Sequence, residues 1–159
     1  MKFRTLFLSI LCLSLFCLGQ LSYAQTTLVY QCKKRVDGNG VVYKDDRTAY
    51  FTFSGDSVYE SERDGTLKTI NHIAGTKAQV YKYCKTVDGN RYYYVWGPTW
   101  KNGYMTYGFW ESMAVIVSSD YSVLNQYSAP MFGLDGYTLV YYRTTEDAVQ
   151  KDNVPGLIR

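Results

Sequence analysis

Four Asp-Gly pairs divide this sequence into short runs rich in tyrosine, valine, threonine and phenylalanine. The pairs are Asp37-Gly38, Asp64-Gly65, Asp88-Gly89 and Asp135-Gly136. Asp-Gly supplies the positive φ angles that tight hairpin turns need, and β-branched and aromatic residues favour strands. The pattern therefore predicts an all-β fold, either a single antiparallel sandwich or a barrel-like meander of short strands with Asp-Gly hairpin turns.

Alternation inside the runs indicates which side chains share a side of the sheet. Phe51 and Phe53 lie two positions apart, and so do Tyr92, Tyr94 and Trp96. Successive side chains on a strand point to opposite faces, so each set is expected on one face. Half-buried strands have this pattern.

The first residues predict export. Lys2 and Arg4 precede the apolar run 6–18, and small residues precede a cut after Ala24. This order is typical of a secretory signal peptide, here 1–24, and the run is too short for a transmembrane helix. We expect a secreted or periplasmic protein without a membrane span in its mature chain.

The mature chain is expected to hold one domain at 25–143 and a polar tail at 144–159. The whole chain carries 17 Lys and Arg against 14 Asp and Glu. Loss of Lys2 and Arg4 leaves 15 against 14, which is a net charge of +1. Nucleic-acid binding needs a one-sided basic field, and this composition does not predict one.

Two of the four cysteines, Cys32 and Cys84, lie in the mature chain. An exported protein meets an oxidising compartment, so we predict that they form a disulfide, with two buried free thiols as the alternative. A structural zinc site needs about four nitrogen or sulfur ligands. His72 is the single histidine, so no metal or cofactor is predicted.

Four segments follow one another along the chain: YFTFSGDSVYESERDGT (50–66), Trp96-Gly97, VSSDYSVLN (117–125) and YTLVYYR (137–143). Together and in this order, they resemble a group of small uncharacterised secreted proteins typical of gut Bacteroidales. The resemblance implies an exported single domain and supplies no activity or catalytic residues. The chain departs from the group in its extra aromatics at 100–110 and in Val58, where a cysteine often stands.

Asp56-Ser57-Val58 resembles the O-glycosylation acceptor of that bacterial group, in which Ser57 would carry the glycan. The alternative is a simple junction between a turn and a strand.

Glu60, Glu62 and Asp64 form the strongest enzyme signal. On a strand, positions i, i+2 and i+4 share one face. Two carboxyl groups about 5 to 10 Å apart are what a glycosidase needs, while the alternatives are a solvated hairpin face or a site for a hard cation. No serine stands in a Gly-x-Ser-x-Gly elbow that could use His72 as its base.

All three tryptophans fall within residues 94–110. Trp96 and Trp100 flank Gly97-Pro98-Thr99, which we expect to be a loop because Pro98 fixes φ and removes a donor. Exposed aromatics on a loop suit a sugar-stacking or protein-contact surface. Trp96, Trp100 and Tyr104 are therefore the predicted ligand-binding residues.

The remaining aromatics of this segment are expected in the core. If 104–110 is a strand, Tyr107 and Phe109 face one way while Trp110 faces the other with Tyr104. Both faces are aromatic, so at least one should be buried, and we predict core positions for Tyr107, Phe109 and Trp110.

These observations favour an exported, non-catalytic module that binds glycan or protein. One alternative is a structural envelope protein without a ligand, in which every aromatic is internal. The other is a small glycosidase that uses Glu60, Glu62 and Asp64. The sequence leaves the oligomeric state open.

Overall fold

The computed structural model of the protein describes residues 24–72, 75–130 and 135–148, apart from the side chains of 69–78. Its strands are β1 (Gln25–Asp37), β2 (Val42–Lys44), β3 (Thr48–Ser54), β4 (Ser57–Ser61), β5 (Thr69–His72), β6 (Gly75–Ala78), β7 (Val80–Val87), β8 (Asn90–Lys101), β9 (Tyr104–Val117), β10 (Val123–Ser128) and β11 (Tyr137–Arg143).

Eight of these strands form a closed antiparallel barrel in the order β1, β3, β4, β7, β8, β9, β10, β11. The barrel closes where β11 returns to β1, in a register that runs from Tyr30 opposite Arg143 to Asp37 opposite Tyr137. β2 extends the sheet beside β1, and β5 and β6 form a separate hairpin. The all-β prediction is confirmed in its barrel-like meander form, and the sandwich is not the form adopted.

The two ends of the barrel differ because consecutive strands run in opposite directions. One end carries the short turns that join β3 to β4, β7 to β8 and β9 to β10. The other end carries the long connections, which contain β2 and the β5–β6 hairpin, and also the end of the long β8–β9 pair. We call the second end the long-loop end.

The interior of the barrel is filled by aromatic and aliphatic side chains. Phe51 packs edge to face against Tyr30 and Tyr141, with ring centroids 5.8 and 5.4 Å apart. The Tyr30 hydroxyl donates a hydrogen bond to the carbonyl oxygen of Tyr121 at 2.9 Å, which satisfies a buried polar group. Phe53 packs against the same core, so the shared face expected for Phe51 and Phe53 is confirmed.

The Asp-Gly pairs behave as turn residues where both neighbouring elements are described. Asp88 and Gly89 have φ angles of 49° and 78° and form the two-residue turn between β7 and β8. The Asp37 carboxylate accepts hydrogen bonds from the amides of Asn39 and Val41, both at 2.9 Å. Residues 131–134, next to the last pair, lie outside the described residues.

The predicted Cys32–Cys84 disulfide is wrong: both thiols are free. Cys32 is fully buried in the core, whereas Cys84 is exposed at a bulge of β7, between Tyr83 and Lys85. Two strands, β3 and β4, lie between β1 and β7. Three strand spacings are about 14 Å, and a disulfide requires Cα atoms within about 7 Å.

The polar tail begins directly after β11. The Thr144 amide donates to the carbonyl oxygen of Val29 at 3.0 Å, and one helical turn follows at 146–148. Arg63 Nε donates to Glu146 Oε1 at 3.0 Å. Residues 149–159 of the tail and 1–23 of the predicted signal peptide lie outside the described residues.

Candidate functional site

The β8–β9 pair continues past the barrel as a two-stranded ribbon, residues 95–110, which we call the arm. At its base, Tyr94 pairs with Ala114 but Val95 pairs with Trp110, so three residues of β9 bulge out. At its tip, Asn102 and Gly103 have φ angles of 53° and 79°. Asn-Gly is a favoured two-residue hairpin turn because both positions tolerate positive φ.

Within the described residues, the strands of the arm beyond Val95 and Trp110 pair only with each other. The register between β7 and β8 ends at Val95, and that between β9 and β10 ends at Met113. Both outer edges of the arm therefore carry unpaired backbone groups. Pro98 removes one donor from the β8 edge, whereas the β9 edge has no proline.

One face of the arm consists entirely of apolar and aromatic side chains. Residues that pair directly across a hairpin share a face, so the register identifies the members of this face. Its three rows are Trp96 with Phe109, Pro98 with Tyr107, and Trp100 with Met105. We call these six residues the aromatic face.

Exposure on the aromatic face increases toward the tip. Trp96 and Phe109 at the base are 42% and 38% exposed, whereas Tyr107, Met105 and Trp100 are 64%, 67% and 74% exposed. Large apolar side chains that are this accessible and this close together are unusual on a monomer.

The aromatic face continues the outer wall of the barrel. Tyr93 points into the core, so Tyr94 and Trp96 point outward. Phe109 packs edge to face against both, with ring centroids 6.3 Å from Tyr94 and 4.9 Å from Trp96. The ring centroids of Tyr92 and Tyr94 are 6.4 Å apart. The face therefore looks away from the barrel interior, and the shared face expected for Tyr92, Tyr94 and Trp96 is confirmed.

The opposite face of the arm is braced by Trp110. Gly97 and Gly108 pair on this face, and the Trp110 ring lies 3.5 Å from where a Cβ of Gly97 would stand. Trp110 Nε1 donates a hydrogen bond to the carbonyl oxygen of Pro98 at 3.1 Å. Gly97 thus lets the indole lie against the backbone, where it is half-buried.

The predicted ligand-binding residues all lie on the arm, but they do not share one face. Trp96 and Trp100 belong to the aromatic face, whereas Tyr104, 78% exposed, pairs with Lys101 on the opposite face. The expected loop around Pro98 is wrong, because this residue lies inside β8.

The prediction that Tyr107 and Phe109 are core residues is also wrong, since both are exposed. The composition of this segment does not mark these two residues or Met105 as surface residues. The signal that could have placed them is Asn102-Gly103, which puts a hairpin tip between two runs of alternating aromatics.

The three carboxylates of the glycosidase hypothesis do not form one row. β4 ends at Ser61, so Glu62 and Asp64 lie in the following turn. Lys68 Nζ lies 2.8 Å from Glu60 Oε1, and Asp64 Oδ1 accepts a hydrogen bond from the Thr66 amide at 2.9 Å. Among the side chains that the structure describes, no three of His, Cys, Asp or Glu gather to hold a metal ion.

Two further candidates from the sequence occupy ordinary positions. Ser57 begins β4, and its hydroxyl donates to Asp56 Oδ1 at 2.8 Å; its glycosylation stays a prediction. His72 ends β5, and its side chain lies outside the described residues.

A charged recess of about 430 Å³ opens beside the end of β1, between β2 and the start of β11. Several of its charged side chains already hold partners: Arg47 Nε donates to both carboxylate oxygens of Asp45 at 3.0 Å. This bond holds the pKa of Asp45 below its usual value. Arg35 stacks over the Tyr137 ring at 5.2 Å, so the recess offers less to a ligand than the arm does.

Comparison with known proteins adds no relative: no family model, curated protein or solved structure matches the chain. In the ranges that the structure describes, no helix has the length and apolar character needed to cross a membrane.

Proposed function

We propose that the protein is an exported, non-catalytic binding module whose aromatic face contacts a protein partner. The observation that carries the proposal is the face itself, which groups two tryptophans, a tyrosine, a phenylalanine and a methionine on an arm. Removing apolar surface from water is favourable by about 25 cal/mol per Å². Exposed apolar patches of this size are rare on monomeric proteins, and they usually mark an interaction surface.

The chemistry of the face favours protein over glycan. Sugar sites combine a stacking ring with several polar groups that bond the hydroxyls. The aromatic face has only the Tyr107 hydroxyl and two indole N–H groups, and Pro98, Met105 and Phe109 fill the other places. Lys101 lies on the opposite face. Aromatics and methionine without carboxylates or amides are typical of protein interfaces.

The geometry of the arm also fits a polypeptide partner. Its rows are two residues apart along each strand, which is a spacing of about 6.8 Å. Side chains on one face of a partner strand repeat at the same interval. The proline-free β9 edge, whose backbone groups are unpaired among the described strands, adds a place where a strand can pair.

The other two hypotheses have less support. A structural protein whose aromatics are all internal does not account for the exposure of Trp100, Met105 and Tyr107. A glycosidase needs two facing carboxyl groups, whereas Glu60 is paired with Lys68. The predicted signal peptide at 1–24 supports export.

The test is a photo-crosslinking scan along β9 in the producing cell. A photoreactive amino acid replaces Met105 or Tyr107 on the aromatic face, and Tyr104 or Thr106 on the opposite face as matched controls. We expect one protein to be crosslinked from Met105 and Tyr107, and little or nothing from the two controls. Equal crosslinking from all four positions, or none, would contradict a protein contact through this face.

A glycan and mucin array with residues 25–159 addresses the runner-up ligand. Trp100→Ala is compared with Tyr104→Ala, which removes an equally exposed ring from the opposite face. If the protein binds a glycan selectively and only Trp100→Ala abolishes the binding, the ligand of the aromatic face is a glycan and not a protein.

A further inference from the structure

We infer that the protein partner of the aromatic face is a second copy of this chain, packed face to face about a two-fold axis. This inference rests on the proposed function, because it concerns the same surface. It goes further by naming the occupant and the residues that meet.

The area of the aromatic face is large enough for a specific dimer. With about 200 Å² for each large side chain, the exposed fractions of its five large residues amount to about 600 Å². That equals or exceeds the largest apolar patch of a typical monomer. Two such faces bury about 1,200 Å², which passes the threshold of about 1,000 Å² for a specific interface.

The aromatic face carries no charge that would repel a second copy. An isologous interface applies the same patch from both copies, so any charge in it meets a like charge near the axis. Residues 95–110 contain a single charged residue, Lys101. Lys101 pairs with Tyr104 on the opposite face. Two aromatic faces can therefore meet without bringing like charges together, which few surfaces of a chain with 31 charged residues permit.

The shape of the aromatic face also fits a second copy. In two of the three rows a large ring stands beside a smaller side chain: Trp100 beside Met105, and Tyr107 beside Pro98. A two-fold axis along the arm places β8 of one copy over β9 of the other. Trp100 then covers Met105 of the second copy, and Tyr107 covers Pro98. Each large ring meets a smaller side chain, and because the face continues the outer barrel wall, the two barrels lie side by side.

The experiment is sedimentation equilibrium of residues 25–159, which contain every described strand, with three variants. Met105→Asp puts a charge on the aromatic face, and Thr106→Asp puts the same charge on the opposite face one residue away. Trp100→Arg puts the opposite charge at the position that would meet Met105. Circular dichroism and thermal unfolding are measured for each variant, to compare its fold with that of the wild type.

We expect a dimer for the wild type and for Thr106→Asp, and dimerisation weakened by at least about 30-fold in Met105→Asp and Trp100→Arg, as for central interface residues. An equimolar mixture of Met105→Asp and Trp100→Arg should dimerise again, because the new carboxylate of one copy then faces the new guanidinium of the other. A wild type that stays monomeric at several hundred micromolar would overturn the inference. So would a mixture that stays monomeric, or equal weakening by Thr106→Asp.

This outcome separates the two proposals. A monomeric protein whose Met105 and Tyr107 positions still crosslink to another protein in the cell overturns the second copy and supports the binding module. Absence of crosslinks from the aromatic face contradicts the binding module itself.

Discussion

Gly65 lets the turn after β4 pack closely against side chains of β1 on the outside of the barrel. It has a φ of 85°, and a Cβ there would stand 3.0 Å from Thr27 Oγ1 and Gln25 Nε2. Thr27 is bonded in turn to the fully buried Thr52, with hydroxyl oxygens 2.9 Å apart. Gly89 has a similar φ of 78°, and apart from its chain neighbours no described atom lies within 4 Å of its Cβ position. Substitution of Gly89 therefore measures the cost of the backbone conformation without the cost of crowding.

We expect Gly89→Ala to lower the free energy of unfolding by about 1 to 2 kcal/mol, the cost of a left-handed conformation. Gly65→Ala should lose about 1 kcal/mol more, because the new methyl group disturbs the Thr27–Thr52 contact. Urea unfolding of both variants measures the difference. Equal losses would show that the turn is not packed against β1 and β3.

Tyr81 makes stability depend on alkaline pH. Its hydroxyl donates to Gln79 Oε1 at 3.0 Å, and burial raises its pKa to about 12, above the unfolded value near 10. The folded state therefore keeps the proton longer than the unfolded state. The stabilisation is complete below pH 10 and is lost as pH rises from 10 to 12.

Comparison with Tyr81→Phe isolates this contribution, since Tyr30 and Tyr141 also have raised pKa values caused by burial. The variant should be less stable at pH 8 because it loses buried hydrogen bonds. Between pH 10 and 12 its deficit should shrink by about 2 kcal/mol. Chemical unfolding across this range measures it, and a constant deficit would mean that Tyr81 titrates normally.

The two thiols should differ in access. Cys84 is exposed, whereas Cys32 is fully buried and burial raises the pKa of its thiol, which slows reaction further. We expect unreduced residues 25–159 to show one reactive thiol when folded and two after denaturation. If both cysteines stay unreactive after denaturation, Cys32 and Cys84 form a disulfide after all.

At the scale of elements, the arm should be separable from the barrel. Val95 and Trp110 pair at its base, so residues 96–109 can be replaced by Asn-Gly to give a tight hairpin. The aromatic face is largely exposed already, and its removal should change the free energy of unfolding by about 1 kcal/mol or less, mostly through the cover that Phe109 gives Tyr94.

Tyr30→Ala is the control for this deletion, because it removes one ring from the barrel core and should cost about 3 to 5 kcal/mol. The shortened protein should also lose every contact assigned to the aromatic face. A shortened protein that unfolds as easily as Tyr30→Ala would show that the arm belongs to the core.

Most strands could be predicted from the sequence, because their signals are local. Asp88-Gly89 and the alternation around Phe51 specify a hairpin and a buried face within a few residues. The arm could not be predicted fully, since Tyr107 and Phe109 have the composition of core residues. What exposes them is the bulge after Tyr94, where three residues of β9 leave the ladder, and no local signal marks it.

At the scale of the whole molecule, closure of the barrel depends on contacts that are distant in sequence. Tyr30 pairs with Arg143, 113 residues later (143 − 30). Alternating strands fit a sandwich and a barrel equally well, so the sequence left both open. The disulfide prediction failed for the same reason: cysteine number and compartment say nothing about the two strands that separate β1 from β7.

Both proposals depend on Trp100 and Trp96 lying on an exposed face while Trp110 braces the opposite one. ¹⁹F NMR of dilute, 5-fluorotryptophan-labelled protein tests this arrangement, because a soluble paramagnetic agent broadens each tryptophan signal according to its exposure. With signals assigned by single Trp→Phe variants, we expect the strongest broadening for Trp100, less for Trp96 and least for Trp110. Strong protection of Trp100 would contradict this arrangement and place the arm within a core.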